Sequence, residues 1–206
     1  MQINSKKILA MTLVELLLVL TILGTITALT LPGLKKHSQK TENAKLAQHT
    51  YSILEQALDM AVYDAATPID NWSDKYIGSY ILRDRLMNYL VGVKDCTTSW
   101  DNTAGCFGSY RMFRENSAKS PGVRSVILPS GAVIAGAGRD ATKSYAIFYI
   151  DVNNTNSPNM EGVDIFIFNF GKFDKNCNYS EKGQWKLCPS GKAVDLVNDG
   201  WIINYW

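Results

Sequence analysis

The residues able to do chemistry are few, and most are poorly placed for catalysis. The chain has two histidines, His37 and His49. Both fall on one predicted helix, more than three turns apart, so they cannot converge on one site. No downstream serine or cysteine therefore finds a histidine base in its own part of the chain. Gly136-Ala137-Gly138 looks like a fragment of a phosphate-binding loop, but that motif needs a helix to follow, and the next predicted element is a strand. Carboxylate pairs of the glycosidase type stay open, since sequence does not show which acids meet. The expectation is a chain with no catalytic role and no required cofactor.

The richest set of ligand atoms lies between Asp151 and Asp164. Asp151, Asn153, Thr155 (through its carbonyl), Asn159 and Asp164 alternate well enough to offer several oxygens to a hard cation such as calcium, which takes about six to eight. The spacing is not that of an EF-hand. An equally simple reading is a hairpin connection whose Asn and Asp side chains bond their own backbone in Asx-turns.

The four cysteines form two near pairs, neither with C-x-x-C spacing. Closing Cys96–Cys106 and Cys177–Cys188 would staple two loops of about ten residues, each contributing about 2–3 kcal/mol in the chain-entropy description. Such bonds persist outside the cytoplasm; the alternative is four buried free thiols.

All these residues hang on an element of another kind, Met11 to Leu31. At about 1.5 Å per residue a helix of this length covers roughly 30 Å, the thickness of bilayer hydrocarbon. Its one charge is Glu15, and a carboxylate inside an apolar span usually faces a protein partner. The segment is too long for the apolar core of a secretory signal, which runs to about 7–15 residues. A plain single-pass anchor would explain the length but not Glu15.

With its leader Met1–Ala10 carrying Lys6 and Lys7, the stretch resembles the amino terminus of type IV pilins and type II secretion pseudopilins. The family pattern falls on Thr12, Leu13, Val14, Glu15, Gly24 and Pro32. It departs at Ala10, where the family usually has glycine, and at Met11, where it usually has phenylalanine. The resemblance implies cleavage by a prepilin peptidase between Ala10 and Met11 and N-methylation of Met11. It further implies filament assembly through Thr12, Leu13, Glu15, Gly24 and Pro32. Implied partners are identical or related pilin subunits, an inner-membrane assembly platform and, before assembly, membrane lipid. The head would sit in the periplasm first, and then in an extracellular filament or a periplasmic pseudopilus. The expected role is a structural subunit of a pilus-like filament; a pseudopilin of type II secretion or a minor tip pilin is the alternative, and a monomeric anchored binding domain is a third. The Asp151–Asp164 connection is also similar to calcium-holding loops of some pseudopilins.

Charge gives a mixed signal. Lys6 and Lys7 precede the span while Lys35, Lys36 and Lys40 follow it, which alone would place the large domain in the cytoplasm. The cysteines and the resemblance argue for the opposite side. The formal charge is +2, and Lys6 and Lys7 account for all of it, so the remainder has no global field for nucleic acid. Tyr110-Arg111-Met112-Phe113-Arg114 with Lys119 and Arg124 interleaves aromatic and basic residues. That local pattern would suit single-stranded DNA, but a solvated loop with packing aromatics is the expected reading. Asn71, Asn153 and Asn178 begin glycan-acceptor triplets of a kind that chance readily produces.

With 206 residues, 46% of them hydrophobic, the chain suits one head and an anchor. Its expected parts are a leader at 1–10, a membrane or filament-core segment at 11–33, an amphipathic continuation at 34–66 and a head at 67–206. Ala47, Tyr51, Leu54, Leu58, Ala61 and Val62 form a helical stripe, so one helix should run from Thr12 to Tyr63, kinked or partly unwound at Pro32-Gly33. Thr67 to Asn71 should follow its end, and a shorter helix is expected at Ser79–Val91. Val123–Leu128 and Ala132–Ala135 flank the turn Pro129-Ser130-Gly131. Tyr145–Val152 and Asp164–Phe170 read as further strands, and Trp201–Trp206 as a closing edge strand. The expected class is α+β, a long helix packed on an antiparallel sheet.

Overall fold

The computed structural model describes residues 12–64, 78–96, 106–113, 118–119, 123–137, 145–154 and 156–205. Ala10, Met11, Arg114, Gly138, Thr155, Trp206, the Thr67–Asn71 segment and the Asn71 triplet lie outside these residues. The chain divides into two compact units, Met1–Gln39 and Lys40–Trp206.

Helix α1 spans Leu13–Tyr63. Its helical assignment runs through Pro32 and Gly33, so the partial unwinding expected there does not occur. In the first unit every described side chain, from Thr12 to Gln39, is exposed. In the second unit the helix changes character. Ala44, Ala47, Leu54, Ala57, Leu58 and Ala61 are buried at helical spacing, as the apolar stripe requires. Tyr51 joins them, with its ring 5.0 Å from Phe168 and 5.4 Å from Trp201.

The face they cover belongs to a six-stranded sheet. Its strands are β1 (Lys94–Cys96), β4 (Val123–Ile127), β5 (Val133–Ala137), β6 (Tyr145–Asp151), β7 (Ile165–Phe173) and β8 (Gln184–Ser190). They lie side by side in that order and every neighbouring pair is antiparallel. A separate two-stranded ribbon pairs β2 (Tyr110–Arg111) with β3 (Ala118–Lys119). Period-two alternation gives the large sheet two apolar faces. Ile134, Phe148, Ile150, Phe166, Phe168 and Phe170 share a core with α1. Val133, Ala135, Tyr149 and Ile165 form a second cluster with Phe107 and Tyr110.

Two expected elements differ. The Ser79–Val91 helix is instead a short α2 (Gly78–Ile81) followed by one wider i→i+5 turn, Leu82–Leu86. Ile81, Leu82, Leu86 and Leu90 are all buried. On a regular helix these four would spread over about half the circumference, wider than the roughly 100° stripe a surface helix presents. Burial of all four takes precedence over helical periodicity. The described part of the Trp201–Trp206 segment forms no strand. The edge beside β7 is taken by β8, and Trp201 leaves helix α3 (Lys192–Asn198) at φ 64° to pack on Tyr51.

The start of α2 fits because two glycines meet. A Cβ on Gly136 of β5 would overlap the Gly78 carbonyl, and one on Gly78 would overlap the Ile147 carbonyl. Gly136→Ala should therefore destabilise the head by about 1–3 kcal/mol, read as a lower denaturant midpoint. Gly24→Ala, with nothing within 4 Å of the added methyl, should leave that midpoint unchanged.

Candidate functional sites

The first site is the amino-terminal end of α1. Glu15 and Thr12 form a reciprocal capping box. The Thr12 backbone N–H and the Thr12 hydroxyl each donate to Glu15 Oε2 at 2.8 Å, and the Glu15 N–H donates to Thr12 Oγ1 at 3.2 Å. The T-x-x-E signal for this was present in the sequence. It gives the carboxylate a local role beside any role toward a partner, and the two have to be separated by experiment.

The rest of the segment is made for an apolar surrounding. Thr21, Thr25, Thr27 and Thr30 turn their hydroxyls back onto the carbonyls of Leu17, Ile22, Leu23 and Ile26, at 2.8, 2.9, 2.7 and 3.0 Å. These hydroxyls thus bring no unpaired donor into a medium without water. Exposed leucines and isoleucines occupy the same surface, with Leu13 at 75% and Leu29 at 82%. Gly24 and Gly33 have no neighbour within 4 Å of where a side chain would start.

The second site is the connection between β6 and β7. Asp151 ends β6 opposite Ile165, and the Val152 N–H donates to the Asp164 carbonyl at 2.9 Å, which makes the two acids diagonal neighbours. Their side chains are 1% and 0% exposed. The Asn153 N–H donates to Asp151 Oδ1 at 3.2 Å, while the N–H groups of Asn159 and Met160 donate to the two Asp164 oxygens at 2.9 and 2.7 Å. Asn159 thus meets the carboxylate through its main-chain donor. The Asn153 amide nitrogen bonds the Ser157 carbonyl at 3.4 Å, and the Asn153 and Asn154 side-chain oxygens are buried without a donor. The Asn43 side chain on α1 ties this corner down by donating to the Val163 carbonyl at 2.9 Å. Among the described residues, no group of three or more His, Cys, Asp or Glu residues converges as a metal cluster.

Burial, followed by the charge of Asp164, pushes the Asp151 carboxyl up to about 8, against the hydrogen bonds from Asn153 and Asn154. Burial also raises Asp164, opposed by the Met160 and Asn159 donors. The loop thus combines Asx-turn geometry with two desolvated acids.

The remaining candidates separate in space. The disulfides are Cys96–Cys106 and Cys177–Cys188, with Cα–Cα distances of 6.1 and 5.6 Å. His37 and His49 are both exposed on α1. Arg124 stacks over Tyr80 at 5.9 Å, on the sheet face that bears α2. Tyr110 is buried in the opposite face, and Phe113 packs edge-on against Tyr205 at 5.6 Å. Among the described residues, Arg124 and Tyr110 of the basic-aromatic segment therefore lie on opposite faces of the sheet. Asn178 is exposed and held by Asp174.

The acid pair gives a signed expectation. A carboxyl raised on folding contributes stability that is fully present below its unfolded value near 3.8 and is lost as pH rises through about 8. Urea midpoints should fall from pH 4 to pH 8, and Asp151→Asn should flatten that slope; a slope unchanged by the variant would refute the assignment. Calcium would act on the same pair. Adding it at pH 8 should raise the wild-type midpoint and not that of Asp151→Asn, whereas an unchanged wild-type midpoint leaves the hydrogen-bonded loop as the whole account.

No protein family, curated protein or solved structure matches the chain. The architecture carries the comparison instead. A long amino-terminal helix, apolar in its first half and packed on an antiparallel sheet in its second, with two disulfides, is consistent with a pilin-like fold.

Proposed function

We propose that the chain is a structural subunit of a type IV pilus-like filament, assembled through its apolar amino-terminal helix after removal of the leader. The observation that carries this is the first unit of α1. Its side chains are all outward, its threonine hydroxyls are bonded within the helix, and its only carboxylate is at its start. Lipid would cover such a surface before assembly, and identical or related helices would cover it afterwards. The apolar helix fits membrane anchoring or a signal, and the disulfides fit a head outside the cytoplasm. In this reading a prepilin peptidase cuts between Ala10 and Met11, an inner-membrane platform draws the subunit up, and the subunit performs no catalysis. A pseudopilin of type II secretion or a minor tip pilin is the alternative reading of the same architecture.

Processing supplies the missing charge. Cutting before Met11 creates an α-amine four residues before Glu15 in the sequence. Leaving one member of a desolvated ion pair alone costs several kcal/mol, far more than losing a surface pair. A neighbouring subunit's amine would therefore be held at one axial offset.

Two substitutions separate this role from capping. Glu15→Gln keeps the capping box, which accepts either residue at its third helical position, and removes the charge. Thr12→Val weakens the cap and keeps the charge. Glu15→Gln should cut the ratio of sheared-filament to membrane-pool protein by tenfold or more and leave the head folded, and Thr12→Val should cut it less. Equal ratios for wild type and Glu15→Gln would remove the register role. The intact mass of the mature wild-type chain should begin at Met11 with one added methyl group; a chain still beginning at Met1 in the native host would overturn the assignment.

A further inference from the structure

The face of the sheet turned away from α1 is closed by a segment of the head's own chain. Residues 106–113 cross it as a strap. The Phe107 and Tyr110 rings lie 5.4 and 5.5 Å from Tyr149, and all three are at least nine-tenths buried. Val133, Ala135 and Ile165 lie beneath them.

The two ends of the strap are held differently. At its start Cys106 is bonded to Cys96 on β1, and the Phe107 N–H donates to the Ser125 hydroxyl at 3.3 Å. Its other end is held through the main chain. The Arg111 N–H donates to the Asn159 carbonyl at 2.9 Å, and the Glu161 N–H donates to the Arg111 carbonyl at 2.8 Å.

Beyond Arg111 the strap reaches the end of the chain. The Lys192 ammonium sits 4.9 Å from the Phe113 ring and 4.8 Å from the Tyr205 ring. The buried Glu161 carboxylate accepts the Lys192 N–H at 3.1 Å, and the Tyr205 hydroxyl donates to the Lys192 carbonyl at 3.3 Å. One strap thus touches the β6–β7 connection, the start of α3 and the carboxy-terminal tail.

The second disulfide has no such reach. Cys177–Cys188 closes a hairpin whose strands β7 and β8 are already paired from Ile167 to Phe173, and Asp174 bonds its turn internally. Removing it leaves a complete ladder. Removing Cys96–Cys106 frees the strap from the only covalent bond it makes within the sheet.

We infer that Cys96–Cys106 is an oxidation-set latch, whose formation docks residues 106–113 across the outer face of the sheet and thereby orders the Asn159–Asp164 corner and the tail at Tyr205. The two thiols lose two protons and two electrons as the S–S bond forms. The acceptor is the disulfide of a dithiol–disulfide oxidant, which departs as its dithiol. Before that step, among the described residues, the strap is held by the Ser125 contact, ring packing, the β2–β3 pairing and the backbone hydrogen bonds at Arg111, and can lift from Tyr149.

Amide hydrogen exchange on the full chain in detergent tests this, because the Arg111 and Glu161 N–H groups report the strap directly. In Cys96→Ser/Cys106→Ser, protection at Arg111 and Glu161 should fall at least tenfold and binding of an apolar dye should rise, while Phe148 and Ile150 in β6 stay protected. Cys177→Ser/Cys188→Ser should leave Arg111 and Glu161 as in the wild type. Unchanged protection at Glu161 in the first variant, or equal loss in both, would overturn the latch. A time course on the wild type after addition of dithiothreitol covers the case where the first variant does not fold. Exchange at Glu161 should then rise before exchange at Phe148; simultaneous loss would show that the bond holds the whole head, and would equally overturn the proposal.

Discussion

An apolar helical surface exposed to its surroundings is the constraint on which the other features depend. Among the described residues, every side chain of α1 up to Gln39 is exposed. Each fully desolvated Leu, Ile or Val side chain is favoured over its exposed counterpart by about 1.5–3 kcal/mol, and the segment carries many of them. Such a surface fits membrane anchoring or a signal segment. The threonines follow from the same constraint. Each hydroxyl would be costly in hydrocarbon if unpaired, and each is turned onto a carbonyl of its own helix. Glu15 is the exception, and its bonds to Thr12 reduce the cost of one carboxylate without removing its charge.

In the second unit the same helix solves an ordinary packing problem. Buried Ala44, Ala47, Ala57 and Ala61, with Leu54 and Leu58, share one core with the phenylalanines of β6 and β7. A sheet packed on one face normally shows polar residues on the other. Here the other face is apolar too, and the 106–113 strap covers part of it. The head therefore has two cores with one sheet between them. That arrangement leaves the β6–β7 corner as a shared edge, where Asn43 arrives from one side and Arg111 from the other.

The parts of this fold that could be read in the sequence are those whose residues obey one local rule. The stripe from Ala47 to Val62 fixes the second half of α1, and the β-branched and aromatic runs fix β4 to β7. The cysteine pairs were legible because their partners are near in sequence. β8 was not, since Gln184, Lys186 and Pro189 dilute its apolar character and it gains its identity from pairing with β7. Trp201 and Ile203 misled for the opposite reason. Their apolar character reflects packing against Tyr51 and the main core, with no ladder involved. At the candidate sites, composition placed Asp151–Asp164 between two strands, as β6 and β7 show. It could not show that Asn159 would act through its N–H, or that both acids would be buried. Those facts depend on the tertiary course of the turn.

Glu15 shows how far a single residue can be taken from sequence. Its position in an apolar run was read as a sign of a partner, while the T-x-x-E capping signal beside it was equally visible. The structure realises the cap, which satisfies donors at the helix start and would do so in a plain anchor as well. Capping alone does not require a charge, because glutamine, serine or asparagine can satisfy those donors in related ways. A full carboxylate in a segment otherwise free of charge is therefore more than the helix end needs. Under the proposed cut before Met11, that charge is what the new amine would neutralise. The same reasoning applies to the bare glycines. Gly24 lacks any contact that would exclude a methyl group, and glycine costs a helix interior about 1 kcal/mol relative to alanine. Among the described residues no contact offsets that cost, and under the proposed assembly a close approach by a neighbouring helix would.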